Sequence, residues 1–246
     1  MKLQGNTVLV TGGASGIGLA LSRLLISAGN RVVVCGRDRA KLDAAIASVP
    51  GLVAIQADVA DQASREALVE ELKEHFPDLN MLINNAGLLH VSDLTRSEHV
   101  QDLTAELAVN LMAPVELISA LLPALRTQSR PTIVNVTTGY VFLPSARTAL
   151  YSATKTALHA YTRSLRYQLA RVGVYVVEVM PPAADTAMAT HYAGSKVSPE
   201  TVAREIFKGL ANDENEIVIG ISKWARRLAR WIPATAFRLM NRAEEK

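Results

Sequence analysis

The chain has 246 residues, 49% apolar and 20% charged, the balance of one large globular domain with a sizeable core and not of a disordered or disulfide-stapled protein. A single cysteine excludes an internal disulfide, no eighteen-residue apolar run free of charge is there to span a membrane, and Met1 to Asn6 lead straight into a strand pattern with no room for a signal peptide, so a cytoplasmic protein is expected. The net charge of +3 is uneven: seven basic residues against two acidic ones give residues 221–246 a charge of +5, leaving −2 on the first 220 and arguing against a nucleic-acid-binding core.

An apolar run, Val8-Leu9-Val10, reads as a buried strand and gives way to Thr11-Gly12-Gly13-Ala14-Ser15-Gly16-Ile17-Gly18, after which a helical pattern runs from Leu19 to Ala28. A strand that stops in glycines and restarts as a helix gathers backbone N–H groups and the positive end of a helix dipole at one point, which suits a phosphate. The first glycine permits the sharp exit from the strand, and the later two let a pyrophosphate and the sheet approach the helix backbone. A tight turn with no ligand would use the same glycines. Placement directly after a first strand favours dinucleotide binding, with Gly12, Ala14, Ser15, Gly16, Ile17 and Gly18 as part of the cofactor bed.

Gly29-Asn30 stops that helix, and Arg31 to Cys35 reads as a second buried strand in which Cys35 serves as a small apolar residue. The strand ends in Gly36-Arg37-Asp38, where a dinucleotide-binding fold meets the adenosine ribose. No carboxylate stands among its last residues and Arg37 can pair a 2′-phosphate, so NADP(H) is expected over NAD(H). Asp38 has the spacing of a ribose-binding acid, yet equally suits the cap of a helix from Arg39 to Ser48. A third strand, Leu52 to Ala57, ends in Asp58-Val59, where Asp58 either reaches the adenine edge or caps its own turn. A half-solvated helix (Gln62 to His75) leads to a fourth strand, Asn80 to Ile83, and to Asn84-Asn85-Ala86-Gly87, which support the first strand or line the cofactor bed.

A long helical pattern from Leu103 to Arg126 contains Asn110 between two apolar neighbours, the setting of a satisfied core amide, since an unpaired one costs about 1–3 kcal/mol. The fifth strand, Pro131 to Val136, ends in Thr137-Thr138-Gly139. In a helix from Tyr151 to Val172, Tyr151 and Lys155 lie one turn apart on one face and can both point into a crevice above the sheet. A sixth strand (Val174 to Val179) ends in Met180-Pro181-Pro182, and a helix (Pro199 to Leu210) and a short strand (Glu216 to Ile219) follow. About seven strands without internal repeats predict a single Rossmann-like, doubly wound α/β domain with a parallel sheet over residues 1–220, followed by a basic amphipathic tail, residues 221–246.

Three segments, Thr11-Gly12-x-x-x-Gly16-x-Gly18, Asn84-Asn85-Ala86-Gly87 and Tyr151-x-x-x-Lys155, stand in the order and spacing of the short-chain dehydrogenase/reductase family, which the chain resembles over about residues 5 to 220. Gly5-Asn6-Thr7-Val8, Cys35-Gly36-Arg37, Pro181-Pro182 and Tyr151-Ser152-Ala153-Thr154-Lys155 resemble its DltE-like bacterial branch. The resemblance implies an NADPH-dependent oxidoreductase that interconverts a ketone or aldehyde with an alcohol. It makes Tyr151 the proton donor, Lys155 its electrostatic partner and ribose ligand, Thr138 the counterpart of the family's serine, and Asn110 the holder of a water between lysine and solvent. Asp58, Val59, Asn85, Ala86, Gly87, Pro181 and Thr186 complete the cofactor site. An ammonium about 5 Å from a phenol at an effective dielectric of about 20 favours phenolate by roughly 3 kcal/mol, about two pK units, so Tyr151 is expected to be acidified.

The resemblance also implies a homodimer or homotetramer formed through the helices bearing Asn110 and Tyr151. Thr138 for serine, and Pro182 where most members have glycine, sustain a second reading as a non-catalytic NADP(H)-binding regulatory or scaffold protein. Apolar residues around the expected pocket (Leu88, Leu89, Tyr140, Phe142, Leu143, Met188) suit a hydrophobic small-molecule substrate. His75, His90, His99, His159 and His191 have no metal-ligand spacing, so no metal is assigned, and neither Ser15 nor Ser152 sits in a nucleophile elbow. In the tail, Ile221, Trp224, Leu228, Trp231 and Ile232 repeat at helical spacing beside Arg226, Arg227 and Arg230. Such a segment can lie peripherally on an anionic inner-membrane surface, cover a greasy pocket, or pack on its own domain or a neighbouring subunit.

Overall fold

A computed structural model describes residues 3–91, 100–190, 192 and 194–244. Seven strands form one parallel sheet: β1 (Thr7–Thr11), β2 (Arg31–Gly36), β3 (Val53–Gln56), β4 (Leu79–Asn84), β5 (Thr132–Val136), β6 (Tyr175–Met180) and β7 (Glu216–Val218), in the order β3-β2-β1-β4-β5-β6-β7. Alternate strand residues feed opposite cores. Val8, Val10, Val32 and Val34 pack with Leu21 and Leu25 of α1 (Gly16–Ser27), Leu42 of α2 (Arg39–Ser48) and Ile206 of α7 (Pro199–Ala211). Leu9, Val33 and Cys35 face the other core, with Leu68 of α3 (Gln62–His75), Leu117 of α5 (Ala113–Leu125) and Leu165 of α6 (Ala149–Ala170). Burial pushes the Cys35 thiol up to about 12, so it is an inert apolar filler, as expected.

The strand order reverses between β1 and β4, and a crevice opens there at the carboxyl ends of the strands. The turn after β1 is held tightly. Gly12 (φ +63°) donates its N–H to Cys35 O at 2.9 Å, and Gly16 (φ +53°) starts α1 three residues earlier than the apolar periodicity predicts, because the first helical turn is built from glycines that carry no pattern. A Cβ on Gly18 would stand 2.5 Å from Gly12 O and 2.6 Å from Asn85 Nδ2. Its role is to let α1 press on the turn.

The long helical pattern is interrupted. Helix α4 (Val100–Leu107) passes into a widened π turn, Ala108–Met112, before α5. Pro114 has no N–H to offer the carbonyl four residues back, that of Asn110, which loosens the ladder at that residue. The stretch Thr104–Leu125 is long and apolar enough to cross a membrane by composition, but Leu117, Ile118, Leu121 and Leu125 fill the sheet core. Two further helices, α8 (Ser222–Trp231) and α9 (Pro233–Glu244), occupy the tail and break at Pro233.

Replacing Gly18 by Ala is expected to cost about 1–3 kcal/mol in urea denaturation, because the new methyl meets backbone on two sides. At Gly36 a Cβ meets only Leu42 Cδ2, at 3.8 Å, and Gly36→Ala should stay within about 0.5 kcal/mol of the parent.

Candidate functional site

One cavity of about 1230 Å³ runs from the glycine turn to α8 and α9. Of the residues expected at the site, Gly12, Ala14, Ser15, Gly16, Ile17, Arg37, Asp58, Val59, Asn85, Ala86, Gly87, Thr138, Tyr151, Lys155, Pro181 and Thr186 all line it. Gly18 and Asn110 do not; both act from behind the wall. The cavity exceeds the roughly 300–1,000 Å³ of ordinary small-molecule sites, since it joins two compartments in one volume.

At the nucleotide end the first turn of α1 faces the cavity. Thr11 Oγ1 accepts from the N–H groups of Asn85 and Ala86, each at 3.0 Å, while Asn85 Nδ2 donates back to Thr11 O at 2.9 Å and Gly12 O at 3.2 Å. Thr186 stands across the cleft from the turn, so close that a Cβ on Gly16 would lie 2.9 Å from its Cγ2. Asp38 is the N-cap of α2: its carboxylate accepts from Lys41 N at 3.1 Å and lies 3.6 Å from Lys41 Nζ, and the first of these contacts holds its carboxyl below the usual range. Asp58 Oδ1 accepts from Ala60 N at 2.9 Å, a cap of its own turn on the cavity wall. Arg37 is exposed and pairs with no acid among the described residues, and Arg23 and Lys41 stand on the same wall.

At the other end of the crevice, the early part of α6 carries Tyr151 and Lys155 on its buried face, with Nζ 6.0 Å from the centre of the Tyr151 ring. Thr138 hydrogen-bonds the Tyr151 hydroxyl, and Tyr140 packs edge-on against the ring at 6.4 Å. Lys155 Nζ donates to Val136 O at 2.9 Å, and burial lowers its pKa to about 8. Burial likewise pushes Tyr151 up to about 12, opposed by its hydrogen bond to Thr138 and assisted by the charge of Glu106. The expected acidification of Tyr151 is therefore not found. Loss of water outweighs the attraction of an ammonium 6.0 Å from the ring.

Asn110 is fully buried, as the apolar flanks predict. Its Oδ1 accepts from Leu88 N at 2.9 Å, and its Nδ2 donates to Leu88 O at 2.8 Å and to Thr154 Oγ1 at 3.2 Å. The side chain thus splints the segment after β4 to α6. Both the oxygen and the nitrogen of its amide are engaged with protein. Gly87 sits beside it: a Cβ there would lie 3.5 Å from Asn110 Oδ1 and 3.7 Å from Lys155 Nζ.

Two features were not foreseen. Behind Thr138, Thr137 Oγ1 donates to Glu178 Oε1 at 2.7 Å, and both oxygens of the fully buried Glu178 lie 2.9 Å from His159 Nδ1. A glutamate inside an apolar strand and a histidine one further turn along the Tyr151–Lys155 face were the available signals. The second is the orientation of the tail: Ile221, Trp224, Leu228, Ile232, Leu239 and Met240 line the cavity. Among the described residues no three His, Cys, Asp or Glu side chains group as a metal site; His99 and His191 lie outside them, as do Glu245 and Lys246.

Residues 6–196 match the short chain dehydrogenase family. A Bacillus subtilis (strain 168) protein, the uncharacterized oxidoreductase DltE, is 39% identical over 226 residues, 88% of this chain and 89% of that protein. A short chain dehydrogenase from Burkholderia cenocepacia J2315, solved in complex with NADP, superposes with TM-score 0.86 at 26% identity, over 97% of this chain and 99% of that one. A Burkholderia phymatum enzyme in complex with NAD shares the fold, with TM-score 0.84 at 21% identity over 96% of each chain. The chain belongs to the short-chain dehydrogenase/reductase family and resembles its DltE-like branch. It is thus an NAD(P)-dependent oxidoreductase, which leaves the scaffold reading without support.

The buried lysine gives a pH signature. Between pH 8 and 10.5 the unfolded chain holds the Lys155 proton and the folded chain does not, so stability rises with pH across that window; below pH 8 the full cost of burying the charge is present. From pH 7 to pH 10, urea denaturation of the ligand-free protein should gain roughly 2–3 kcal/mol relative to Lys155→Met, which lacks the titration.

Proposed function

We propose that the protein is an NADPH-dependent carbonyl reductase or alcohol dehydrogenase acting on a hydrophobic ketone or aldehyde. The observation that carries this reading is the convergence of Thr138, Tyr151 and Lys155 on one cavity that is continuous with the glycine turn. The residues present fit a dinucleotide. The first turn of α1 offers backbone donors, the near contact of Gly16 with Thr186 leaves a cradle that a side chain would fill, and the acid nearest the end of β2, Asp38, is engaged as the cap of α2. Asp38 caps α2 and pairs with Lys41 at 3.6 Å, whereas Arg37 pairs with no acid among the described residues and can receive a 2′-phosphate, which supports NADP(H) over NAD(H).

The bound nicotinamide supplies or accepts the hydride. Tyr151 gives its hydroxyl proton to the carbonyl oxygen, Thr138 orients that oxygen and steadies the phenol, and Lys155 offsets the phenolate that forms. Asn110 and Gly87 fix the floor on which these groups stand. The exposed apolar side chains of Leu107, at the end of α4, and Met112, in the π turn, support a homo-oligomer formed through this helix. The cationic rim of α8, where Arg230 packs beside the exposed Trp231, supports peripheral contact of a cytoplasmic enzyme with an anionic membrane surface.

Tyr151→Phe should lower kcat about 10²–10⁴-fold while leaving the NADPH Kd within a factor of two, measured by cofactor fluorescence and by NADPH oxidation over a carbonyl panel. Unchanged turnover would end the assignment. Arg37→Ala should weaken NADPH binding about 10–100-fold with little effect on NADH; equal losses for both would place the 2′-phosphate elsewhere.

A further inference from the structure

We infer that the cavity beyond Tyr151 is a channel for a long apolar chain, and that the substrate is a carbonyl or alcohol compound carrying an acyl- or isoprenoid-like tail that lies along α8 and α9. The inference rests on the catalytic reading above and names the substrate class for the same site.

The first observation is the segregation of charge. Seven of the last 26 residues are basic, yet every residue that α8, α9 and Ile221 contribute to the cavity is uncharged, and only Ser222 bears a hydroxyl. The charged lining residues lie outside the tail: Arg23, Arg37, Lys41, Asp38 and Asp58 at the nucleotide end, Arg147 before Tyr151, and Asp185 and Glu200 after β6. A wall cleared of charge within so basic a segment suits an apolar ligand. The second is uncovered surface: Trp224 and Leu239 are each 60% exposed although both line the cavity, and Leu228 and Ile232 are also exposed. Apolar area left open in this way gains about 25 cal/mol per Å² when covered. The third is continuity. This strip shares one volume with Leu143, Met188 and the Tyr151 hydroxyl, so a ligand whose carbonyl reaches Tyr151 has the strip as its onward path.

The wall is also anchored as a built part of the site. Ser222 packs on Gly139, where a Cβ would come within 2.4 Å of its Oγ. Arg226 pairs with Glu216 at 2.9 Å and lies 5.8 Å from the centre of the Phe142 ring. Asn241 Oδ1 accepts from Ala146 N at 2.6 Å, and its Nδ2 donates to Pro144 O at 3.2 Å. These contacts bind α8 and α9 to the segment that joins Thr138 to Tyr151.

The chain's two tryptophans both lie in α8, which gives a readout independent of turnover. In Trp231→Phe the remaining Trp224 reports from the cavity; in Trp224→Phe the remaining Trp231, 77% exposed, reports from the rim. Titrating the NADPH-loaded protein with unreactive primary alkanes and then with 2-ketones of six to fourteen carbons, below their aggregation limits, should shift Trp224 emission with an affinity that rises up to about fourfold per methylene. The same series should lower KM for the ketones. Leu228→Asp should abolish the chain-length dependence in both readouts while leaving the NADPH Kd unchanged, which shows the variant folded.

A KM independent of chain length, with short ketones still reduced, would overturn the channel and leave the catalytic reading standing. Chain-length-dependent binding with no ketone reduced would do the reverse. A response of Trp224 to 4:1 phosphatidylcholine–phosphatidylglycerol vesicles but not to monomeric chains would overturn the channel in favour of a bilayer-facing surface. A concentration-dependent dimer that Leu228→Asp dissociates in sedimentation, with no response to chains, would overturn it in favour of a second subunit.

Discussion

The hydroxyl of Thr11 holds together the place on which the rest of the site depends. It accepts from two consecutive backbone N–H groups, those of Asn85 and Ala86, while the Asn85 side chain returns hydrogen bonds to the backbone of Thr11 and Gly12. The link spans the point where the strand order reverses and where no crossover helix ties the neighbouring ends together. From there the position of Gly87 follows, then that of Leu88, which Asn110 grips by both its N–H and its carbonyl. Asn110 in turn reaches Thr154, between Tyr151 and Lys155 on α6. The glycine turn after β1 and the start of α6 that carries Tyr151 are thus joined by one hydrogen-bonded path.

That path is buried, and burial acts on the two titrating groups in opposite senses. The phenol is driven up and the ammonium down, so burial favours the uncharged form of each. The Glu178 carboxylate lies just behind, held by Thr137 and His159, so an acidic group is kept close to Thr138 without facing the cavity.

Strand positions were legible because a parallel sheet buried on both faces requires continuous runs such as Val32-Val33-Val34, and the motif residues were legible because their spacing is their geometry. The ambiguous residues were those for which two roles ask for the same chemistry at the same place. A carboxylate just past β2 can cap a helix or bind a ribose, and Asp38 caps α2 through its 3.1 Å contact with Lys41 N while also lining the cavity. The start of α1 was hidden because glycines have no periodicity, and the π turn because Pro114 was read as part of a continuous helix. Spacing also supplied an attraction between Lys155 and Tyr151 without the cost of removing water, which is the larger effect. In the tail, periodicity found the apolar face but not what it faces.

The chain order of these parts has a consequence for biogenesis. Helices α8 and α9 come after every strand of the sheet, so a nascent polypeptide emerging from the ribosome completes the phosphate turn, the tyrosine and the lysine before the far wall exists. The contacts of Asn241 with the Pro144 and Ala146 backbone, which tie α9 to the segment before α6, therefore form after the sheet is complete.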